Sequence, residues 1–424
     1  MRTLLLSALL LSACTVEDTA EAPPPEPPTT EVSVATMTGD DRLPDEAEIE
    51  RDRLSGRWRT ADVDTTGRAA AQRANPERAE DIDREARRPG AWRDSLQLPL
   101  GGDVAGPSVL KAQVLLDRAG FSPGQIDGRW GDNTEKAISW FQAAADLPRT
   151  GIVDEATLGA LRERAGRPAE LVVARRLTAD DVAGPFETLP SDIYAKAELD
   201  ALGYESLGEK LGERFHAAPA LLARLNDGAS LDSLAAGDTL RVPAVGPAGP
   251  GRGLGAVDRI EVSASGGYLH ALGADGRIVA HFPVTVGASY DPSPEGELTI
   301  TGVARNPSWH YQPKILENVP DDAEEATLPG GPNNAVGAVW MALSKEHYGI
   351  HGTSAPGTIG YASSAGCVRL TNWDALRLAD AVSPGTPVVF TAADAPGASA
   401  DSTAAPRGTP RPDSSRSRST QADA

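Results

Sequence analysis

The 424-residue sequence has few cysteines and few basic residues. The two cysteines, Cys14 and Cys367, are too few for the disulfide framework that stabilises small secreted domains. Lys and Arg number 40 against 60 Asp and Glu, which gives a net charge of −20. This balance argues against nucleic acid as a partner, because nucleic-acid-binding proteins present a basic patch. It suits an exported soluble protein whose copies repel one another.

Metal-binding and phosphate-binding motifs are also missing. The sequence has no HExxH or CxxC spacing and no phosphate-binding glycine loop. We therefore expect no metal site and no cofactor. The 34 prolines and 43 glycines, beside 40% hydrophobic residues, predict that long parts of the chain are linker and that the rest forms several domains.

The N-terminal residues MRTLLLSALLLSAC have the features of a signal peptide. Arg2 supplies a positive charge, and the apolar stretch from Leu4 to Leu11 is shorter than the roughly 20 residues that span a bilayer. The ending LSAC resembles the lipobox of bacterial lipoproteins, which implies that residues 1–13 are removed and that Cys14 carries lipid. We expect a periplasmic protein anchored in the membrane through Cys14. The outer membrane is favoured because Thr15 stands where Asp would indicate inner-membrane retention. An ordinary signal peptide with a chance cysteine is the alternative.

Two stretches predict little folded structure. Residues 14–100 read as a tether, proline-rich and acidic up to about residue 45 and then dense in mixed charge, with few apolar residues at helical spacing. We expect disorder or a solvated helix there. Residues 394–424, rich in Ser, Pro and Ala, predict a disordered tail.

Residues 103–165 predict a small bundle of three helices. Apolar residues recur at helical spacing in VLKAQVLLDRAGF, and Gly120 predicts the end of that helix. The segment resembles the peptidoglycan-binding domain of type 1, which implies binding to cell-wall glycan and peptide. The residues that carry this resemblance are Gln113, Leu116, Gly120, Phe121, Ile126, Asp127, Gly128, Trp130, Gly131, Thr134, Ala137, Phe141, Gln142, Thr150, Gly151, Thr157 and Leu158.

Residues 190–245 predict two helices followed by the strand Thr239–Pro243. The segment resembles a LysM module, a glycan-binding βααβ unit, in its second half. Its first strand is poorly marked in the sequence. His216 lies in this unit and is expected at the surface.

Residues 256–393 predict a mainly-β domain. Strand-like segments alternate with the hairpin signals Gly266-Gly267 and Asp275-Gly276. His270 and His281 fall on these strands and are expected at the surface. The whole chain is thus predicted to be multidomain: a three-helix bundle, an α+β module and a mainly-β domain between a disordered tether and tail.

Cys367 and His351 are the residues in this last domain that could carry chemistry. His351 ends a predicted strand, and Cys367 lies in a glycine-containing turn. An adjacent imidazole can activate a thiol as a nucleophile, and small neighbouring residues leave backbone N–H groups to stabilise an oxyanion. The alternative is a buried, inert cysteine, since cysteine often packs as a small hydrophobic residue.

The domain resembles the L,D-transpeptidase catalytic domain of the YkuD type. The matching residues follow the family's order over about 130 positions and are Val286, Gly287, Ser293, Pro294, Glu295, Gly296, Asn306, Pro307, Ser308, Trp309, Gly331, Pro332, Asn333, Asn334, Gly337, His351, Gly352, Thr353, Gly360, Ser364, Gly366, Cys367, Val368 and Arg369.

This resemblance implies a role for each residue of the motif. Cys367 would be the nucleophile, His351 its base, and the carbonyl of Gly352 would orient the imidazole. Backbone N–H groups near Gly366 and Cys367 would form the oxyanion hole. The site would also include Ser364 and Arg369, the latter anchoring either the turn or a substrate carboxylate.

One departure from the family strengthens the choice of base. Many members carry His directly before the Gly-Cys pair, where this chain has Ala365, so His351 is the single candidate in the motif. The implied reaction is acyl transfer from a peptidoglycan tetrapeptide to an amine, with a second stem peptide, a lipoprotein or a D-amino acid as acceptor. Hydrolysis at the same site and a non-catalytic wall tether are the alternatives. The sequence does not fix the oligomeric state.

Overall fold

The computed structural model describes residues 31–33 and 46–391, apart from residues 57, 60–61, 89, 94, 247–253, 288–292, 314–321, 363 and 365. The predicted signal peptide, Cys14 and the tail 394–424 lie outside the described residues. None of the described helices combines the length and the apolar composition that crossing a membrane requires.

Residues 46–95 are folded against the domain that follows, so the prediction of a disordered charged segment is wrong here. Their three short helices are α1 (Glu46–Asp52), α2 (Arg68–Ala74) and α3 (Asp81–Ala86). Of the few apolar residues, Trp58 is buried, and Ile82 and Trp92 are buried in the core cluster that includes the helices of the next domain. The charged residues are also used, since Arg59 donates to buried Glu135 at 2.7 Å.

The predicted three-helix bundle is confirmed. Its helices are α4 (Pro107–Ala119), α5 (Asp132–Ala144) and α6 (Glu155–Arg164). Gly120 ends α4 in the left-handed conformation that glycine adopts without steric cost, at φ 86°. Leu116, Ile138 and Phe141 form part of a fully buried core.

The next unit begins earlier than the predicted residue 190. Strand β2 (Val172–Arg176) pairs antiparallel with β3 (Thr239–Pro243), Val172 lying opposite Pro243. Four helices lie between the two strands: α7 (Ala179–Val182), α8 (Ile193–Ala197), α9 (Leu207–Arg214) and α10 (Pro219–Leu225). We call residues 172–243 the βααβ unit, after the two strands and the two longest of these helices, α9 and α10. The strand that completes it is short and charged, which is why the sequence marked it poorly.

The C-terminal domain is built on a large curled sheet, which within the described residues has eight strands. They are β4 (Arg259–Ser263), β5 (Tyr268–Leu272), β6 (Ile278–Pro283), β7 (Gly296–Arg305), β10 (Val339–Leu343), β11 (Gly349–His351), β12 (Val368–Arg369) and β13 (Pro387–Thr391), arranged in the order β12-β11-β10-β7-β13-β4-β5-β6. A hairpin of β8 (Ser308–Tyr311) and β9 (Ala326–Leu328) stands beside it. The short strand β1 (Glu31–Ser33) pairs parallel with β8.

The two faces of the sheet bury different clusters, because successive side chains of a strand point to opposite faces. One face packs Val339, Met341 and Ile350 against helix α11 (Asn372–Ala379). The other face holds Trp340 and Cys367 in a second buried cluster. Cys367 therefore lies on the face opposite α11.

Helix α11 is the place where the three folded units meet. Ser122, directly after the first helix of the bundle, donates to the carboxylate of Asp374 at 2.6 Å. His216 of the βααβ unit stacks on Trp373, with ring centroids 5.2 Å apart. His216 is buried and its Nδ1 lies 2.8 Å from Asp117, so the prediction that it lies at the surface is wrong. These contacts fix α11, and with it the turn before it, from two sides.

His270 and His281 are buried as well, which corrects the expectation that they lie at the surface. Helix α5 packs on strand β6, and its Trp140 packs edge-on against His270 of β5, with ring centroids 4.5 Å apart. Nε2 of His270 lies 3.1 Å from Nδ1 of His281. Burial lowers the pKa of His270 to about 3, with the positive charge of Arg149 as a smaller cause, and burial also lowers the pKa of His281.

We expect these histidines to make the protein sensitive to acid. A folded-state pKa below that of the unfolded chain means that the unfolded form takes up protons which the folded form excludes. The stabilisation is complete above pH 6.5 and is lost as the pH falls towards 3. His270→Gln should make the loss of unfolding free energy between pH 6 and pH 4 shallower by about 1.4 kcal/mol per pH unit.

Urea unfolding at pH 7, 6, 5 and 4 measures this slope. His310→Gln, at a partly exposed histidine of β8, is the matched control and should keep the slope of the original protein. Equal slopes for His270→Gln and the original protein would contradict the expectation.

Candidate active site

Strand register brings the predicted nucleophile and base to one face of the sheet. Strand β11 lies between β10 and β12, and His351 pairs with Trp340 on one side and Arg369 on the other. Paired residues of neighbouring strands project to the same face. Cys367 stands two residues before Arg369 and shares that face. Four side chains from within 30 positions of the sequence, those of Trp340, His351, Cys367 and Arg369, are thereby brought to one face.

The tautomer of His351 follows from its hydrogen bond. Nδ1 lies 2.7 Å from the carbonyl oxygen of Gly352, and because a carbonyl only accepts, Nδ1 carries the proton. Nε2 is then left with the lone pair that a base needs. The indole of Trp340 stacks on the imidazole with ring centroids 5.4 Å apart and fixes the plane of the ring.

The imidazole of His351 is held neutral. Burial lowers its pKa to about 3, and the positive charge of Arg369 lowers it further. The carbonyls of Gly352 and Val336 act in the opposite direction with smaller effect. His351 is therefore in the form that can accept a proton across the physiological pH range.

Two serine hydroxyls stabilise the turn that carries Cys367, one from within the turn and one from outside it. The hydroxyl of Ser364 donates to the carbonyl of Cys367 at 2.6 Å, and the hydroxyl of Ser293 donates to the carbonyl of Gly366 at 3.0 Å. Gly366 has a φ of 89°, in the left-handed region that favours glycine. Ser364 is fully buried. Its hydroxyl thus stabilises the turn.

Cys367 is a buried thiol, with 1% of its surface exposed. It belongs to the cluster of Leu202, Trp309, Val336 and Trp340, and its Sγ lies 3.8 Å from the carbonyl oxygen of His347. Leu202 comes from the βααβ unit, so this unit contributes to the same buried cluster. The apolar surroundings exclude water from the sulfur.

The backbone of Arg369 is held by a pair of hydrogen bonds to one residue, Thr285. Its N–H donates to Thr285 and its carbonyl accepts from the N–H of the same residue, at 2.8 and 3.0 Å. The side chain is buried, with 5% exposed, on the face that carries His351. Its charge lowers the pKa of the imidazole, an electrostatic effect that the sequence did not reveal.

The loop between His351 and Cys367 rests on the three-helix bundle. Asn133 at the start of α5 donates to the carbonyl of Ile359 at 2.8 Å. Gly131 lies so close to Tyr361 that a Cβ there would stand 2.9 Å from the phenol oxygen. The bundle therefore supports the loop that joins the two predicted catalytic residues.

Sequence reasoning missed one residue that organises the site. Asn372 was given no role from the sequence, whereas its side-chain oxygen accepts from the N–H groups of Ala338 and Thr353, at 2.9 and 3.1 Å. Thr353 lies two residues after His351, and Ala338 directly precedes β10, the strand that pairs with β11. The position of Asn372 directly after the Cys367 motif was the available signal.

Two parts of the chain match known protein families. Residues 257–390 match the family model YkuD, described as an L,D-transpeptidase catalytic domain, and residues 105–161 match the model of a peptidoglycan binding domain. YkuD of Bacillus licheniformis, assigned by its name to the L,D-transpeptidases, is 34% identical over 184 residues, which are 43% of this chain and 92% of that protein.

The chain belongs to the YkuD family of L,D-transpeptidases. YkuD of Bacillus subtilis is 37% identical over 119 residues, which cover 28% of this chain and 57% of that protein. ErfK/SrfK of Escherichia coli is 32% identical over 123 residues, or 28% of this chain and 39% of that protein. A crystal structure of an L,D-transpeptidase from Xylanimonas cellulosilytica aligns with 68% of this chain and 95% of its own, at 17% identity and a TM-score of 0.30.

Family membership makes this protein an L,D-transpeptidase, an enzyme of the cell wall. The matched binding domain makes peptidoglycan its substrate or partner. In this L,D-transpeptidase, the part of the chain that matches the catalytic-domain model, residues 257–390, contains both His351 and Cys367.

Proposed function

We propose that this L,D-transpeptidase works through a covalent intermediate on Cys367. The substrate would be a peptidoglycan tetrapeptide stem, whose terminal D-residue is joined to the L-centre of a diamino acid. The acyl group would pass to an amine, most simply that of a second stem, which forms a 3→3 cross-link. Attachment of a lipoprotein or exchange of a D-amino acid uses the same steps.

The proposed reaction has two halves. The sulfur of Cys367 attacks the carbonyl carbon, and its proton passes to Nε2 of His351. The C–N bond then breaks, His351 returns the proton to the departing amine, and the terminal D-amino acid leaves. In the second half the acceptor amine attacks the thioester, gives a proton to His351, and the thiol is released as that proton returns to sulfur.

The observation that carries the proposal is the pairing of β11 with β12. It sets the buried thiol and a neutral imidazole on one face of two adjacent strands, with Nδ1 of His351 already engaged by Gly352. Further support comes from the buried cluster around Cys367, because a water-poor site strengthens the electrostatic interactions of the transition state. Backbone N–H groups of Gly366 and Cys367 are the proposed oxyanion donors.

Hydrolysis is the second candidate. Water in place of the amine would make the enzyme an L,D-carboxypeptidase or a cross-link-cleaving endopeptidase with the same residues. The low exposure of Cys367 favours transfer over hydrolysis, because the thioester would be shielded from bulk water.

Purified protein incubated with tetrapeptide muropeptides tests these proposals by mass spectrometry. We expect a cross-linked dimer together with the free D-amino acid. A tripeptide as the sole product would replace transpeptidation with hydrolysis. Identical traces with and without the protein would overturn both.

We also propose that the protein acts in the periplasm, held by lipid on Cys14 at the outer membrane. The support is the sequence LSAC with Thr15 after it. The βααβ unit, in which β2 and β3 pair around α9 and α10, is proposed to be a LysM-like glycan-binding module that assists the peptidoglycan binding domain.

A further inference from the structure

The side-chain amide of Asn372 has a hydrogen-bond partner at each of its donor and acceptor positions. Its oxygen accepts from Ala338 and Thr353, as described above. Its nitrogen donates to the carbonyl of Pro332 at 3.1 Å and to Oε1 of Glu213 at 2.7 Å. An amide offers two donors and two acceptor positions, so all four are occupied. Glu213 is the one partner from outside the catalytic domain, since it lies in α9 of the βααβ unit.

A continuous chain of hydrogen bonds connects Glu213 to the imidazole of His351. Nδ1–H of His351 donates to the carbonyl of Gly352, and the N–H on the other side of the same peptide group is that of Thr353. This N–H donates to Asn372, which donates to Glu213. Each bond in such a chain polarises the next, so the members support one another.

The packing around the chain leaves little freedom for its middle part. A Cβ at Gly352 would stand 2.0 Å from Oδ1 of Asn372, so only glycine permits this approach. The peptide group that orients His351 is therefore pressed directly against the Asn372 amide. The direction of that amide is in turn set by its donors, one of which points at Glu213.

The surroundings of Glu213 suit a neutral acceptor. Its second oxygen, Oε2, accepts from the hydroxyl of Tyr204 at 3.2 Å. Burial raises the pKa of Glu213 to about 8, so the carboxyl is mostly protonated at neutral pH. A glutamine, which is neutral and keeps the acceptor oxygen, is therefore a close substitute.

We propose that Glu213 is a positioning residue for the reaction: through Asn372 and the Gly352–Thr353 peptide it holds His351 in the orientation and tautomer that the base requires. The βααβ unit would then be part of the catalytic apparatus in addition to any binding role. This inference rests on the proposed role of His351. It differs from that proposal because Glu213 acts without touching substrate.

Two substitutions at this position separate positioning from charge. Glu213→Met fills similar space but removes the acceptor, so the Asn372 amide loses a partner and the Gly352 carbonyl loses its fixed direction. We expect kcat to fall by about 10- to 100-fold, the range for small misplacements of catalytic groups, with KM changed less than about twofold. Glu213→Gln should keep kcat within about twofold.

The matched control is Glu209→Met, one turn earlier on α9. The carboxylate of Glu209 accepts from the N–H of Glu205, inside the same unit, and has no place in the chain to His351. The same chemical change should therefore leave kcat and KM close to those of the original protein. Glu213→Asp, with a shorter side chain, should give an intermediate kcat if the Met variant does not fold.

The experiment uses the full-length protein with tetrapeptide muropeptides, and follows the Nδ1–H proton of His351 by NMR after histidine-selective ¹⁵N labelling. We expect this resonance to move upfield or broaden in Glu213→Met and to stay in place in Glu213→Gln and Glu209→Met. Wild-type kcat in folded Glu213→Met, or a loss of kcat with an unmoved resonance, would overturn the inference. An inactive wild-type protein would instead contradict the proposed function, while the NMR comparison would still test the chain.

Discussion

Cys367→Ala is expected to lower the transpeptidation rate by about three orders of magnitude or more, because Cys367 is the one cysteine among the described residues and a thioester needs a thiol. The thiol is nearly fully buried, so alanine leaves a small void and should not unfold the domain. Initial rates of dimer formation from tetrapeptide muropeptides measure the effect.

The matched control is Cys14→Ser, which removes the other thiol of the chain. In purified protein it should keep the original rate, since the residue lies outside the catalytic domain. Circular dichroism of Cys367→Ala should match that of the original protein. A folded Cys367→Ala variant with the original rate would mean that the cysteine is an inert core residue.

His351→Gln is expected to lower kcat by about 10²- to 10⁴-fold, the usual contribution of a general base. Glutamine keeps a polar side chain of similar size but has no nitrogen that can take the thiol proton. The same rate assay applies, and the effect should fall on kcat because no role in ground-state binding is assigned to the imidazole.

His310→Gln tests whether a different histidine serves as base. His310 lies on β8, with its Nδ1 3.1 Å from the hydroxyl of Thr327. It should keep kcat within about twofold. A larger loss in His310→Gln than in His351→Gln would assign the base to the hairpin and contradict the site described above.

The parts of the site that the sequence predicts are those defined by short-range patterns. His351 at the end of a strand and Cys367 in a glycine turn could both be read from local residues, and both are found there. The hydrogen bond from His351 to Gly352 is also local, since it joins neighbouring residues. The chemical roles of these residues remain predictions until the substitutions are made.

The predictions of surface exposure for three histidines were wrong because another folded unit covers them. The strand pattern of His270 and His281 shows which residues share a face, but it does not show that α5 of the bundle packs on that face. His216 was likewise assigned to the surface because its partners, Asp117 and Trp373, lie 99 and 157 positions away in the sequence and in other domains. Contacts between domains leave no periodic signal.

The prediction of disorder for residues 46–95 was wrong for a related reason. Its apolar residues are too sparse for a core of its own, and composition alone predicts disorder. Its aromatic residues Trp58 and Trp92 are buried all the same, and its arginines meet carboxylates of the bundle. The three-helix bundle supplies the apolar core and the carboxylate partners that this segment lacks.

Cys367 is proposed to carry the acyl group during turnover. Mass spectrometry of the protein, quenched in acid during turnover of a tetrapeptide muropeptide and then digested, tests it directly. We expect the peptide containing Cys367 to gain the mass of the muropeptide minus its terminal D-amino acid, and we expect no such gain in Cys367→Ala. Turnover without any adduct on this peptide, or an adduct that persists in the variant, would contradict it.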